Sequence, residues 1–106
     1  MQRGEIWWAL FPSPTGPHPV LLLSRNESYA RRTQVIVALI TTRVRKIPVE
    51  VPLDITDGVP KKCVVNLDTI ANIPKSLLTG RVTILTPEKL KKVDEALHFA
   101  LGLEQP

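Results

Sequence analysis

Two segments of this chain are apolar on both faces, and they limit the folds that it can adopt. One runs Pro19-Val-Leu-Leu-Leu-Ser24, and the other runs Gln34-Val-Ile-Val-Ala-Leu-Ile-Thr41. Successive strand residues point to opposite faces, so a strand that is apolar throughout must be covered on both sides. We therefore predict two central strands, at 19–24 and 34–41, joined by a polar loop or a single helical turn at 25–33.

Four further segments have the composition of short strands. We predict them at residues 4–10, 49–54, 63–70 and 80–85. Pro52 indicates an edge strand, because proline lacks the N–H that a central strand donates to its neighbour. Alternation in the first strand puts Trp7 and Trp8 on opposite faces, so at least one tryptophan belongs to the core.

The chain also carries the signals of one C-terminal helix. Thr86 is suited to the N-cap, Pro87 to the first turn and Gly102 to the C-cap. An apolar stripe at helical spacing consists of Leu90, Val93, Leu97 and Leu101. Five or six short strands and a terminal helix, separated by proline-bearing turns, predict a mainly β fold. We expect a small, partly open antiparallel barrel formed by one domain, residues 1–106.

Composition excludes several classes of protein. No run approaches the roughly 18 apolar residues of a membrane span, and no apolar signal segment precedes the first strand. We therefore expect a cytoplasmic protein. Cys63 is the single cysteine, which excludes an intramolecular disulfide, and two histidines provide no zinc constellation. We predict a small buried hydrophobe at Cys63 and no metal or cofactor.

Positive charge is concentrated in one part of the chain. The formal net charge is +4, and residues 25–46 contain six cations against Glu27 alone. A one-sided basic segment is typical of proteins that bind a polyanion. An ordinary solvated face has the same composition, so both interpretations stay open on charge alone.

His18 lies between two prolines at the entrance of the first central strand. Each proline fixes its own φ and pushes the preceding residue towards an extended backbone. The imidazole is therefore held on a stiff support beside a proline-rich loop, an arrangement found in active sites. A surface histidine at a strand entrance looks the same, and chemistry alone does not choose between them.

The ordered set of motifs resembles the MazF/PemK/Kid toxins. It comprises Arg3-Gly-Glu-Ile-Trp-Trp8, Pro19–Ser24, Val35-Ile-Val-Ala-Leu-Ile-Thr41 and the terminal Val93-Asp-Glu-Ala-Leu97. The resemblance implies an SH3-like barrel with a C-terminal helix, a homodimer, and a sequence-specific endoribonuclease that cuts single-stranded RNA without a metal. It also implies a cognate MazE-like antitoxin that covers the RNA groove. The CcdB gyrase poisons share this fold, but the opening motif and the 35–41 strand are similar to the nuclease branch.

The resemblance also implies roles for His18 and Thr41. Thr41 matches a family threonine that ends the corresponding strand, and we assign its hydroxyl to the scissile phosphate. The family carries an arginine where this chain has His18. Histidine titrates near neutrality, so it can act directly as a base or an acid. The alternative is that loss of the arginine leaves a weak or inactive enzyme that binds only RNA or an antitoxin; we favour retained activity.

The other candidate residues are charged or polar groups near the expected strand ends. Asp68 is a candidate catalytic residue that positions His18, contacts a ribose or base, or carries a proton; alternatively it is a turn residue at a strand end. By two-residue alternation it shares a face with Asn66. The candidate RNA-binding residues are Glu5, Arg25, Arg43, Arg45, Lys46 and Asn66. Arg25 and Arg43 are expected near the phosphates, and for Glu5 a structural salt bridge is the alternative.

Overall fold

A computed structural model of the chain describes residues 1–103. Its strands are β1 (Glu5–Phe11), β2 (Gly16–Leu22), β3 (Gln34–Thr41), β4 (Glu50–Leu53), β5 (Cys63–Pro74) and β6 (Leu78–Ile84), and its helix is α1 (Pro87–Leu101). They form one sheet in the order β4-β5-β3-β2-β1-β6, in which all neighbours are antiparallel. The predicted open, mainly β barrel with a terminal helix is confirmed. So are the central positions of β2 and β3 and the edge position of β4.

The polar connection between β2 and β3 contains a short 3₁₀ helix at Asn26–Ala30, as expected. Two more short 3₁₀ helices lie at Ile55–Asp57 and Lys75–Leu77. No helix within residues 1–103 is long and apolar enough to cross a membrane.

Strand β2 begins three residues earlier than the apolar pattern predicts. A hairpin pairs Phe11 with Gly16 and Ala9 with His18, so His18 is a strand residue. Pairing of β2 with β3 begins only at Val20. The proline-rich start of β2 therefore has a single neighbour, and a strand that is paired on one side tolerates prolines.

Strand β5 contains a bulge that the sequence pattern did not reveal. In the ladder between β3 and β5, Ala38 lies opposite Ile70, but the next residue of β3, Leu39, lies opposite Asn66. Residues 67–69 therefore have no partners on β3. The expected common face of Asn66 and Asp68 is therefore wrong, because extra residues break the two-residue alternation. Asn66 is buried, whereas Asp68 is exposed and its backbone N–H donates to Asn66 Oδ1 at 2.9 Å.

Helix α1 covers one face of the sheet. Val93 and Ala96 are buried there, and Leu90 and Leu97 pack against the same core. Leu101 was expected in this apolar stripe but is 52% exposed in the last turn of the helix. The predicted caps are confirmed: Thr86 Oγ1 accepts from the N–H of Lys89, and Gly102 adopts a left-handed φ of +68°.

A second core lies on the opposite face of the central strands. It contains Val20, Leu22, Val35, Val37 and Ile73, with Tyr29 packed over them. The helix-side core, in contrast, extends along β3 to Ile40 and to Cys63 at the start of β5. The functional candidates lie just beyond this end of the helix-side core.

Candidate functional site

The start of β2 and the end of β3 lie at the same end of the sheet, because the two strands are antiparallel. This arrangement brings His18 and Thr41 to a single cavity of about 290 Å³. Its remaining lining residues, most of them apolar, are Trp8, Pro17, Pro19, Ile40, Thr42, Val59, Pro60, Lys61, Cys63 and Val82. An apolar concavity with a few converging polar groups is the usual form of a ligand site.

Thr41 is half-buried in the wall of the cavity. Its Oγ1 accepts a hydrogen bond of 3.1 Å from the backbone N–H of Arg43. A hydroxyl that accepts from the backbone keeps its own proton for donation. The Thr41 O–H can therefore donate to an anionic oxygen in the cavity, and the turn after β3 fixes the position of its oxygen atom.

His18 is exposed at the mouth of the cavity. Its ring packs edge-on against the ring of Phe11, with 6.4 Å between centroids and 63° between planes. This contact and the pairing with Ala9 orient the imidazole without using its nitrogens. No side chain within residues 1–103 hydrogen-bonds to the ring, so both nitrogens are available to a substrate.

Lys61 is a cation in this site that sequence reasoning missed. It is exposed, and it reaches the cavity from the segment between the Ile55–Asp57 helix and β5. A signal existed in the sequence: Lys61 and Lys62 directly precede the apolar start of a strand. Because β5 runs antiparallel to β3, its first residues lie where β3 ends.

Cys63 forms part of the apolar wall and is 7% exposed, which confirms the small buried hydrophobe expected there. Burial raises the pKa of its thiol, and the Asp57 carboxylate adds to this effect, while Lys61 opposes it. The thiol therefore stays neutral at physiological pH. Within residues 1–103, no three His, Cys, Asp or Glu side chains come together as a possible metal-ligand group.

The basic turn after Thr41 is held beside the cavity by a carboxylate that sequence reasoning also missed. Glu50 is buried at the start of β4, and its Oε1 accepts from the backbone N–H groups of Arg45 (2.8 Å) and Lys46 (3.0 Å). Lys46 adopts a positive φ of 58° in this turn. The side chains of Arg43, Arg45 and Lys46 are exposed, so they add positive charge next to the cavity without lining it.

Arg25 lies at the opposite end of β2, and its expected position near Thr41 is wrong. Its Nε is 2.9 Å from Glu27 Oε1 in an exposed ion pair. Arg25 lines a separate surface groove together with Arg31 and Arg32. Arg25 follows the end of β2 whereas His18 lies near its start, so the two residues are at opposite ends of the strand.

Glu5 is buried at the start of β1 and does not line the cavity. It accepts hydrogen bonds from the Trp7 indole N–H (2.9 Å) and the backbone N–H of Gln2 (3.1 Å), and it pairs with Arg81 at 3.4 Å. Burial alone raises the pKa of Glu5, but these donors and the nearby positive charges outweigh it and lower the pKa. These contacts match the structural salt bridge that was the alternative for Glu5.

Asp68 and Asn66 also lie away from the cavity. Asn66 is paired with Leu39 on one side and Glu50 on the other, and Asp68 lies in the β5 bulge. Asp68 makes no contact with His18, so the expectation that it positions this histidine is wrong. The physical reason is again the bulge, which displaces the carboxylate from the predicted strand register.

Comparison with known proteins gives one family over nearly the whole chain. A family profile described as "PemK-like, MazF-like toxin of type II toxin-antitoxin system" matches residues 2–101. The chain is 35% identical over 103 residues to "Probable endoribonuclease MazF2" of Mycobacterium tuberculosis, with 96% of this chain and 99% of that protein covered. It is 33% identical over 111 residues to "Endoribonuclease EndoA" of Bacillus subtilis, with 97% and 96% covered.

A solved structure has the same fold over the full length of the chain. It is described as "Endoribonuclease in complex with its cognate antitoxin from Mycobacterial species". The two chains superpose with a TM-score of 0.87 at 29% identity, with 100% of this chain and 99% of that chain covered.

Proposed function

The chain belongs to the PemK-like, MazF-like family of toxins of type II toxin–antitoxin systems, and we propose on that premise that it is an endoribonuclease acting on single-stranded RNA. The observation that carries the proposal is the convergence of His18, Thr41 and Lys61 on one cavity. An imidazole, a hydroxyl donor and a cation can supply the base and the charge stabilisation that metal-free cleavage of a phosphodiester needs.

In the proposed reaction, the ribose 2′-oxygen attacks the adjacent phosphorus, and the bond from phosphorus to the 5′-oxygen breaks. Neutral His18 takes the proton of the 2′-hydroxyl as general base. The Thr41 hydroxyl and the Lys61 ammonium stabilise the negative charge that develops on the phosphoryl oxygens. The departing 5′-oxygen takes a proton from water, since the cavity is open to solvent. The products are a 2′,3′-cyclic phosphate and a 5′-hydroxyl end.

We further propose two protein partners, a cognate antitoxin and a second copy of this chain. The complex of the structural relative with its own antitoxin supports the first. The excess of positive charge around the cavity favours an acidic segment as the part of the antitoxin that occupies the site. Light scattering at micromolar concentration tests the homodimer: a stable particle of 11.8 kDa would contradict it.

The activity is tested by incubating purified protein with long single-stranded RNA in EDTA and sequencing the new ends. The matched variants are His18→Ala, Thr41→Ala and, as a control outside the cavity, Arg25→Ala. We expect cyclic phosphate and 5′-hydroxyl ends from the wild type and Arg25→Ala, and strong loss in the other two. Cleavage that survives His18→Ala would contradict the assigned base.

Absence of cleavage by the wild type would overturn the nuclease proposal for naked RNA. RNA or antitoxin binding without cleavage would then identify a binding module that has lost the catalytic arginine. Gyrase-dependent DNA breaks would instead identify a poison of the CcdB type.

A further inference from the structure

The two adjacent tryptophans of β1 have different environments. Trp7 is half-buried against the second core, and its indole N–H is bonded to Glu5. Trp8 is 37% exposed and forms part of the cavity wall that also contains His18 and Thr41. The Trp8 indole therefore presents part of its aromatic surface to the cavity, beside the candidate phosphate site.

We propose that the cavity binds one unstacked nucleobase of the RNA, next to the scissile phosphate, with Trp8 as its stacking surface. The proposal rests on the proposed function and adds a site of sequence recognition to it. Aromatic side chains stack on bases that are splayed out of single-stranded RNA, and this contact contributes strongly to affinity. The cavity volume, about 290 Å³, is sufficient for a single base.

The walls of the cavity indicate how the base is recognised. The lining also includes the proline rings of β2 and the segment Val59-Pro60, whose side chains offer shape but no hydrogen bonds. Of the polar side chains in the lining, Thr41 and Lys61 are assigned to the phosphate. Thr42 adds one hydroxyl, which both donates and accepts and so discriminates weakly. The base is therefore selected by size and stacking.

The first arm of the test maps cleavage sites. Long RNA is cut with the wild type, Trp8→Phe, Trp8→Ala and the control Phe99→Ala, and the 5′-hydroxyl ends are sequenced. Phe99 is a suitable control because it is 54% exposed on α1 and does not line the cavity. We expect Trp8→Ala to lower cleavage by about tenfold or more and to flatten the base preference at one position. Trp8→Phe and Phe99→Ala keep that preference.

The second arm measures binding without cleavage, so it is independent of turnover and of the nuclease proposal. The probe is an oligoribonucleotide with 2′-fluoro groups in place of the 2′-hydroxyls, chosen from random sequences by its binding to the wild type, in which each base is removed in turn. In the wild type, we expect removal of one base to weaken binding by about tenfold. In Trp8→Ala the same removal has little effect, because the stacking partner is already absent. Trp8→Phe retains the loss and controls for misfolding of the alanine variant.

The outcomes separate the two proposals. If the wild type cuts RNA but every base removal affects wild type and Trp8→Ala equally, the base site is overturned and the nuclease stands. If RNA is bound with the expected single-base dependence but is not cut, the base site stands and the nuclease proposal fails. RNA that is neither cut nor bound overturns both.

Discussion

The two ends of the central strand pair β2–β3 differ in how their polar groups are used. At one end, the Thr41 O–H, both nitrogens of His18 and the Lys61 ammonium surround an apolar cavity. At the other end, the groups bond to one another: the Tyr29 hydroxyl donates to the Ser24 carbonyl at 3.0 Å, and Ser24 Oγ accepts from the backbone at 2.8 Å. Along β3 the two ends are roughly 23 Å apart, at about 3.3 Å per residue.

Positive charge alone does not distinguish the two ends of this pair, because Arg43, Arg45 and Lys46 lie beside the cavity. Arg25, Arg31 and Arg32 cluster beyond Ser24, whereas Lys61 is the cation that lines the cavity at the other end. The arginines occupy an exposed surface, and one of them is paired with Glu27. Reaction chemistry requires different groups to face one confined space, and only the His18–Thr41 end meets this requirement.

The largest expected contrast between the two ends is in catalysis. His18→Ala should lower kcat by about 10²- to 10⁴-fold, because it removes the general base. Arg25→Ala should leave kcat within about twofold, because Arg25 lies at the opposite end and in an exposed ion pair. Single-turnover cleavage of one defined RNA measures both. Equal losses of kcat in the two variants would contradict the assignment of the chemistry to the His18–Thr41 end.

Thr41 gives the next largest effect. Thr41→Val keeps the shape of the side chain but removes the hydroxyl, and we expect a fall in kcat of about 10²-fold, as for other donors to a developing oxyanion. Thr41→Ser retains the donor and should keep most of the activity. The same single-turnover assay compares them. A valine variant as active as the serine variant would remove Thr41 from the chemistry.

Lys61 should affect binding by a smaller factor. Lys61→Ala removes one cation from the cavity, so RNA affinity should fall about tenfold and the salt dependence of binding should weaken by about one counterion. Lys62→Ala is the matched control, since Lys62 is exposed but does not line the cavity. Titrations with uncleavable RNA at several salt concentrations measure both quantities. Indistinguishable slopes for the two variants would mean that Lys61 contributes only general surface charge.

The smallest expected effect is on stability, at the end of the strand pair where Tyr29 is hydrogen-bonded to Ser24. Tyr29→Phe removes the bond to Ser24 and should cost about 1 kcal/mol in the free energy of unfolding, with RNA cleavage unchanged. Burial, the main cause, raises the pKa of Tyr29 from 10 to about 12. The native state therefore holds this proton more tightly than the unfolded state.

The stability that this proton provides is complete below pH 10 and is lost as the pH rises towards 12. Denaturant unfolding between pH 8 and 12 should show this decline in the wild type and a weaker decline in Tyr29→Phe. Identical slopes would indicate that Tyr29 ionises normally in the folded protein.

Local signals in the sequence predicted most of the fold. The apolar runs of β2 and β3 require cover on both faces, and Thr86, Pro87 and Gly102 bound the helix, because these features depend on neighbouring residues alone. The motif order identified the family, and with it His18 and Thr41, which the structure brings to one cavity.

Only the tertiary structure decided which of the remaining candidates lie beside that pair. The β5 bulge moves Asp68 out of register, and the antiparallel start of β5 brings Lys61 to the cavity. Each outcome depends on which distant segments pair and in which register, and no local pattern encodes this. Sequence by itself determined the elements and the family. The pairing of strands far apart in the chain determined which residues line the site.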